Sequence, residues 1–364
     1  MNMSPLPAAM PPLRLLLVGY GRVAQALLPL LASRQDWLAS NLGVNPVISG
    51  IGTRSHGYYI HPLGMDTPLL AAQEKEKQLD WFKRGASRMD DVETFIQAGK
   101  DAGASVLVEL TTLNPRDGQP ALLHIRSALE SGLDVVTANK GPIAFAQTEL
   151  QTLARQHNVQ LRFEATVIDG LPLINLAQFT LQGVGIHSFR AMLNATSSLV
   201  LDRIEQGFSQ EEAIAQAQEL GIAEADPWYD LDGWDAVMKT TILANNLLGG
   251  QLTPAMVKRE GIRDLTPDAI CAAAAAGTPI RLLSQAHCKD SVVVAEVRPH
   301  KIAGDDILNY GKGSTSVISL ETEAMGTITL VEHEHEPAVL QTAYGVFSDL
   351  VTILQHRSSA PHFG

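Results

Sequence analysis

Asp235 and Lys239 stand four residues apart and close a stretch that also carries Glu224, Asp226, Asp230 and Asp232. On a helix, positions four apart share a face, so this pair is either a solvated ion pair or a device for moving a proton. The company favours the second reading. Val237, Met238, Ile242, Leu243 and Leu247 make the helix apolar enough to be buried, and the other carboxylates lie in a loop punctuated by Pro227 and Gly233. A half-buried lysine has its pKa lowered toward the range of a general base.

A second constellation lies near the start. Gly19 and Gly21, followed by Arg22, Val23 and Ala24, form a G-x-G-x-x-A turn between an apolar run and a helical pattern. The first glycine permits the tight turn and the second lets backbone approach a pyrophosphate. The small third residue lets the helix pack close, its N-terminus facing the phosphates. Such turns are common, but one at the first strand of an α/β half points to a dinucleotide. After the next strand stand Arg54 and Ser55 in place of an acidic residue. That suits a 2′-phosphate and hence NADP, with NAD as the alternative. Thr111 and Thr112 follow a third apolar run, and Lys140 of Asn139-Lys140-Gly141-Pro142 follows a fourth. These are the carboxyl ends of strands, where open α/β sheets bind ligands. In Glu332-His333-Glu334-His335-Glu336 alternate residues would share one face of a strand. No further Cys or His cluster completes a metal set, so the run reads as a charged, solvated edge.

The elements needed to position these groups are partly legible. Residues 13–18, 47–51, 105–110 and 134–137 are short, continuously apolar runs, as in a parallel sheet covered on both faces. A helix spans 119–131, whereas 55–97 shows no clear pattern beyond a charged helix face at 74–77. In the second half a strand is expected over 159–165, then a Gly170-Leu171-Pro172 turn and a helix to about 181. Ser209 and Glu212 form a capping box for a helix that ends at Gly221. Further helices are expected over 233–248, from Thr266-Pro267 onward and over 337–354, with strands at 316–320 and 326–331.

Composition narrows the class. With 364 residues, 45% hydrophobic and 18% charged, the chain is ordinary globular material sized for two domains. A net charge of −12 argues against nucleic-acid and anionic-membrane partners. Two cysteines do not suggest an oxidising compartment. Residues 1–12, with four prolines and no basic residue, read as a flexible tail and not as a targeting peptide. No apolar run is long enough to span a bilayer. A cytoplasmic protein is expected.

Taken together, GYGRVA, NKGP, EATVIDGLPLI, LNATSSLVL, AQELGIAEADPWYDLDGWDAVMK and TAYGVFSDL, in that order, resemble homoserine dehydrogenase over nearly all of residues 13–355. The resemblance implies an α/β fold. A Rossmann-type NAD(P)-binding domain would span 13–156 and be completed by a returning helix over 337–355. An α+β substrate and dimerisation domain would span 157–336. It further implies a homodimer that interconverts L-homoserine and L-aspartate 4-semialdehyde. Lys239 would move the proton of the substrate oxygen with Asp235 beside it, and Glu224 and Asp230 would hold the substrate ammonium. Lys140 would sit between nicotinamide and substrate. A monovalent cation such as sodium would be bound by the backbone carbonyls of Glu164, Val167, Asp169 and Leu171. Three features depart from the family pattern: EHEHEP stands where a glycine-rich turn is usual, Ala195 replaces a glycine, and Asp169 a small residue. They leave room for a relative acting on another small amino acid or semialdehyde, or for a non-catalytic NADP-binding relative. The length leaves no expected space for a fused kinase or regulatory module.

Overall fold

The computed structural model describes residues 12–73, 78–333 and 337–359, and these divide into two compact units. The first holds residues up to Gly170 together with the closing helix, and the second runs from Leu171 to His335. Of the tail expected over 1–12, Pro12 opens a strand and the rest lies outside the described residues, as do the charged helix face expected at 74–77 and Glu334, His335 and Glu336 of the charged run.

In the first unit seven strands form one sheet: β1 Pro12–Val18, β2 Asn45–Thr53, β3 Gly57–Asp66, β4 Ser87–Met89, β5 Val106–Glu109, β6 Asp134–Thr137 and β7 Leu161–Arg162, in the order β4-β3-β2-β1-β5-β6-β7. β2, β1, β5, β6 and β7 are parallel, while β3 and β4 run antiparallel to their neighbours. The illegible stretch after residue 54 thus adds two antiparallel strands to the sheet edge, with the short helices Thr67–Ala71 and Gln78–Lys83 between them. β1 is the crossing point, because the chain goes to β2 on one side and later returns to β5 on the other. Ligands of open α/β sheets bind at such a switch. Leu15, Leu17, Ile48, Val106, Val108 and Val136 form the buried middle.

The helix Val339–Ser359 returns to this core and inserts Ala343, Val346, Leu350 and Ile353. Each buried Val, Leu or Ile contributes about 1.5–3 kcal/mol. Together they outweigh the single ion pair that the partly exposed Arg357 of this helix makes with the buried Asp134 of β6 at 2.6 Å. Burial is what holds the helix.

The strand expected over 159–165 is a correction. Only Leu161 and Arg162 pair with β6, and Glu164–Thr166 is a turn of 3-10 helix. The N–H of Glu164 is taken by the Asp349 carboxylate at 2.8 Å, and that of Thr166 by Phe163 O. With those donors diverted, no ladder can continue. The contacts place 157–170 with the first unit.

The second unit is a six-stranded sheet of β8 Ile186–Met192, β9 Lys258–Arg259, β10 Ile280–Lys289, β11 Val292–Lys301, β12 Ser316–Thr322 and β13 Gly326–Glu332, ordered β13-β12-β8-β10-β11-β9. All pairs are antiparallel except β11 with β9. The helices Ala195–Glu205, Trp234–Leu247 and Pro267–Ala275 pack against it. The capping box forms as expected, with Ser209 N–H to Glu212 at 2.9 Å and Glu212 N–H to the Ser209 hydroxyl at 3.2 Å.

Candidate active site

The first unit places the glycine turn at the switch point. Gly19 has φ of +95°, and a Cβ there would lie 2.5 Å from the carbonyl of Leu110 and 2.7 Å from Thr111 N. Only glycine lets these two strand ends close together. Gly21 is the N-cap of the helix Arg22–Ser33, without a side-chain cap, and a Cβ there would meet nothing within 4 Å. An open cradle beside uncapped helix N–H groups fits a pyrophosphate. Arg22 is exposed and Val23 half-buried at that helix start. Arg54 and Ser55 are exposed in the three-residue turn joining β2 to β3, where Ser55 Oγ lies 2.9 Å from His56 Nδ1.

Thr111 and Thr112 follow β5, and Lys140 opens the helix Lys140–Gln156 after β6. Asn139 caps that helix by accepting Gly141 N–H at 3.1 Å. The amide of Asn139 donates to Thr111 O at 3.1 Å, which ties the two strand ends together.

The second unit gathers the residues expected to handle the proton. Lys239 Nζ lies 2.6 Å from Leu193 O, just past β8, and 3.3 Å from Asp235 Oδ2. Asn194 donates to Asp230 Oδ1 at 2.9 Å and to Asp235 Oδ2 at 3.1 Å, and Thr196 Oγ1 donates to Asp230 Oδ2 at 2.9 Å. Burial, and then the neighbouring Asp235 carboxylate, push the Asp230 carboxyl above its ordinary value. Thr196, Asn194 and Lys239 pull it back. Two carboxylates and an ammonium thus share one half-buried polar pocket. Burial also holds the phenol of Tyr229 far above its usual range, with Asp235 and Asp230 adding to the effect, so it stays neutral.

The acidic stretch does not act as one cluster. Asp230 sits in a short helix, Trp228–Leu231, and not in an open loop. Asp232 is held by both arms of Arg263 at 2.7 Å, and that guanidinium stacks 3.9 Å above Trp228. Asp226 accepts the Trp228 N–H at 3.2 Å. Those two carboxylates serve the turn. Glu224 is exposed, with only its carbonyl engaged, by Gln218 Nε2 at 3.1 Å.

Of the residues named for a cation, Glu164 and Val167 are buried, Asp169 has φ of +27° and accepts Thr342 Oγ1 at 3.0 Å, and Leu171 O already receives Leu173 N–H at 2.7 Å. β13 ends at Glu332, and His333 lies beyond it with Nδ1 3.2 Å from Thr315 Oγ1. Among the described residues no group of three or more His, Cys, Asp or Glu is arranged to hold a metal ion. Nor is any helix among them long and apolar enough to cross a membrane.

Asn194, Thr196, Asn139 and Glu109 take no role in a residue-by-residue sequence reading, yet they hold the named groups in place. Their signal was available for the asparagines, each of which directly precedes a helix and suits an N-cap. For Glu109, a charge closing an apolar strand was the only sign.

The homoserine dehydrogenase family model matches residues 172–351. The chain is 37% identical over 345 residues to an NAD(+)-dependent homoserine dehydrogenase of Pseudomonas canavaninivorans, covering 94% of this chain and 96% of that one. It is 35% identical over 342 residues to a homoserine dehydrogenase of Methanocaldococcus jannaschii, covering 93% and 98%. A solved structure described as a putative homoserine dehydrogenase from Archaeoglobus fulgidus aligns with a TM-score of 0.80 at 28% identity, covering 94% of this chain and 99% of that one. With the polar pocket around Lys239 on one unit and a glycine-turn strand switch on the other, the chain belongs to the homoserine dehydrogenase family.

Proposed function

We propose that this protein interconverts L-homoserine and L-aspartate 4-semialdehyde with a nicotinamide cofactor, serving threonine, methionine and isoleucine synthesis as a cytoplasmic homodimer. The observation that carries the reading is Lys239 held by Asp235 and Leu193 O, with Asn194 bridging Asp235 to Asp230. Gly19, Gly21, Arg22, Val23, Thr111, Thr112 and Lys140 would hold the dinucleotide. When bound, it supplies the hydride acceptor or donor. The chain's own task is the proton. Lys239 takes it as the neutral amine from the substrate hydroxyl during oxidation, becoming the ammonium, and as the ammonium returns it to the carbonyl oxygen during reduction. Asp235 orients the ammonium of Lys239. Asp230 and the exposed Glu224 supply negative charge for the substrate ammonium. The carbonyls of Glu164, Val167, Asp169 and Leu171 offer a hard oxygen donor set of the kind that suits a monovalent cation such as sodium, and no step depends on it.

Arg54, exposed after β2, favours a 2′-phosphate and so NADP. The likeness to a relative named NAD(+)-dependent favours NAD. Homoserine-dependent reduction of each cofactor is the test. Turnover by the wild type, abolished in a folded Lys239→Ala variant, supports the reading. Firm NAD(P)H binding without turnover of homoserine or its semialdehyde refutes it.

A further inference from the structure

The two strand ends that face the glycine turn are latched by a single buried carboxylate. Glu109, the last residue of β5, is wholly buried, and four polar groups converge on it. Oε1 accepts the Thr111 N–H at 3.1 Å and the Thr111 hydroxyl, and His124 Nδ1 lies 3.4 Å away. Oε2 lies 3.2 Å from the Thr137 hydroxyl, at the end of β6.

A carboxylate offers acceptors only, so it sets the direction of the Thr111 hydrogens, while the one Thr137 hydroxyl proton is shared between the Glu109 carbonyl at 3.0 Å and Oε2 at 3.2 Å. The single proton of Thr111 Oγ1 goes to Glu109, leaving that oxygen and Thr111 O to receive the Asn139 amide at 3.4 and 3.1 Å. With its Nδ2 so committed, Asn139 turns Oδ1 toward Gly141 N–H and starts the helix that carries Lys140. Thr137 Oγ1 in turn accepts Asn139 N–H at 3.0 Å. The loops are also pressed together, since a Cβ on Gly118 would lie 2.9 Å from Gly141 C. No part of this network is needed to build the sheet, whose ladder ends at Glu109 and Thr137.

We infer that Glu109 is a positioning residue for the dinucleotide, acting through Thr111 and Asn139 to fix the loops bearing Thr111, Thr112 and Lys140. This rests on the dinucleotide reading of the first unit. A buried hydrogen-bond network that is fully satisfied rigidifies what it touches, and one that loses its acceptor leaves buried donors unpaired.

The experiment is NADH and NADPH binding, by titration without substrate, to wild type, Glu109→Leu, Glu109→Gln and Thr111→Val, with steady-state kinetics alongside. Leucine removes every acceptor, whereas glutamine keeps one oxygen for the two Thr111 donors. Valine keeps the shape of Thr111 and loses its hydroxyl. The expected result is a cofactor Kd and KM raised at least tenfold in Glu109→Leu and Thr111→Val, with Glu109→Gln between them and wild type. Homoserine KM at saturating cofactor stays unchanged. If Glu109→Leu does not fold, Glu109→Gln carries the test, because Thr111 is itself a cofactor contact in this reading. A cofactor Kd within twofold of wild type, whatever the melting temperature, makes the role purely structural and overturns the inference. A wild-type protein that binds neither cofactor overturns the dinucleotide reading itself.

Discussion

Replacing Asn194 separates two jobs that one amide performs. Its Oδ1 caps the helix Ala195–Glu205 by accepting Ser197 N–H at 2.8 Å, while its Nδ2 bridges Asp230 and Asp235. The cap is worth about 1 kcal/mol. Each bond to a carboxylate is taken near the low end of its range, about 1.5 kcal/mol, because Asp230 keeps Thr196 and Asp235 keeps Lys239. Asn194→Ala is then expected to cost about 4 kcal/mol, at the upper limit because bonds sharing an amide are not additive. Asn194→Ser retains the cap and should lose about 3 kcal/mol. Asn194→Asp also retains the cap, but sets a third carboxylate beside Asp230, whose environment already disfavours charge. The Asp230 carboxyl would therefore be raised further. Stability would be lost as pH rises from about 4 through that raised value. Urea unfolding from pH 4 to pH 7 measures this, with homoserine turnover in parallel. Stability of Asn194→Ser within 0.5 kcal/mol of wild type, or an Asn194→Asp deficit that stays constant from pH 4 to pH 7, would refute the bridging role.

The other expectations are shorter. Asp230→Asn removes a carboxyl whose folded-state pKa is raised by burial and by Asp235, so the wild type loses stability as pH rises from about 4 through that value. The variant's urea midpoint should fall less over this window, and an unchanged pH slope would count against it. The glycine turn gives a paired test. Gly19→Ala combines positive φ with a 2.5 Å backbone clash and should cost more than about 2 kcal/mol, whereas Gly21→Ala adds a Cβ in open space and should melt within about 2 °C of wild type. If Gly21 faces a pyrophosphate, its alanine variant should still bind NAD(P)H at least tenfold more weakly. Arg54→Ala should raise KM for NADP at least tenfold and leave that for NAD within twofold, and equal effects would remove Arg54 from cofactor choice.

Sequence pattern made the parallel half of the first sheet legible because its strands are apolar on both sides and end at glycine or threonine. It did not reveal β3 and β4, whose edge position leaves Leu63 and Met65 partly exposed beside polar residues, blurring the period. Nor did it reveal β8, β10 and β11. β10 buries Ile280, Arg281, Leu282, Leu283 and Ser284 in succession, so no alternation marks it. Its hairpin turn with β11 uses Asp290 and Ser291, both at positive φ, in place of a glycine. The lysine–aspartate pair was legible from spacing. That Asp226 and Asp232 serve the turn while Asp230 serves the pocket was not, because the decisive partners Arg263, Asn194 and Thr196 lie far away in the chain.

The two units reach the same solution to one problem. Each holds a candidate lysine, and each uses an asparagine N-cap beside it: Asn139 caps the helix that Lys140 opens, whereas Asn194 caps Ala195–Glu205, next to the Gly233-capped helix that carries Lys239. Asn139 gives Oδ1 to Gly141 N–H and Nδ2 to the strand end at Thr111, while Asn194 gives Oδ1 to Ser197 N–H and Nδ2 to Asp230 and Asp235. Ser, Thr and Asp cap a helix about as well. None of them can accept from the helix while presenting a planar pair of N–H donors elsewhere. The choice of asparagine is therefore explained by the second contact and not by the cap. In each unit the amide's hydrogens end on a group oriented by a buried or half-buried carboxylate, Glu109 in one case and Asp230 with Asp235 in the other. Reading the N-cap signal alone finds where these helices begin. Asking what the spare N–H groups of an asparagine cap must reach finds the site.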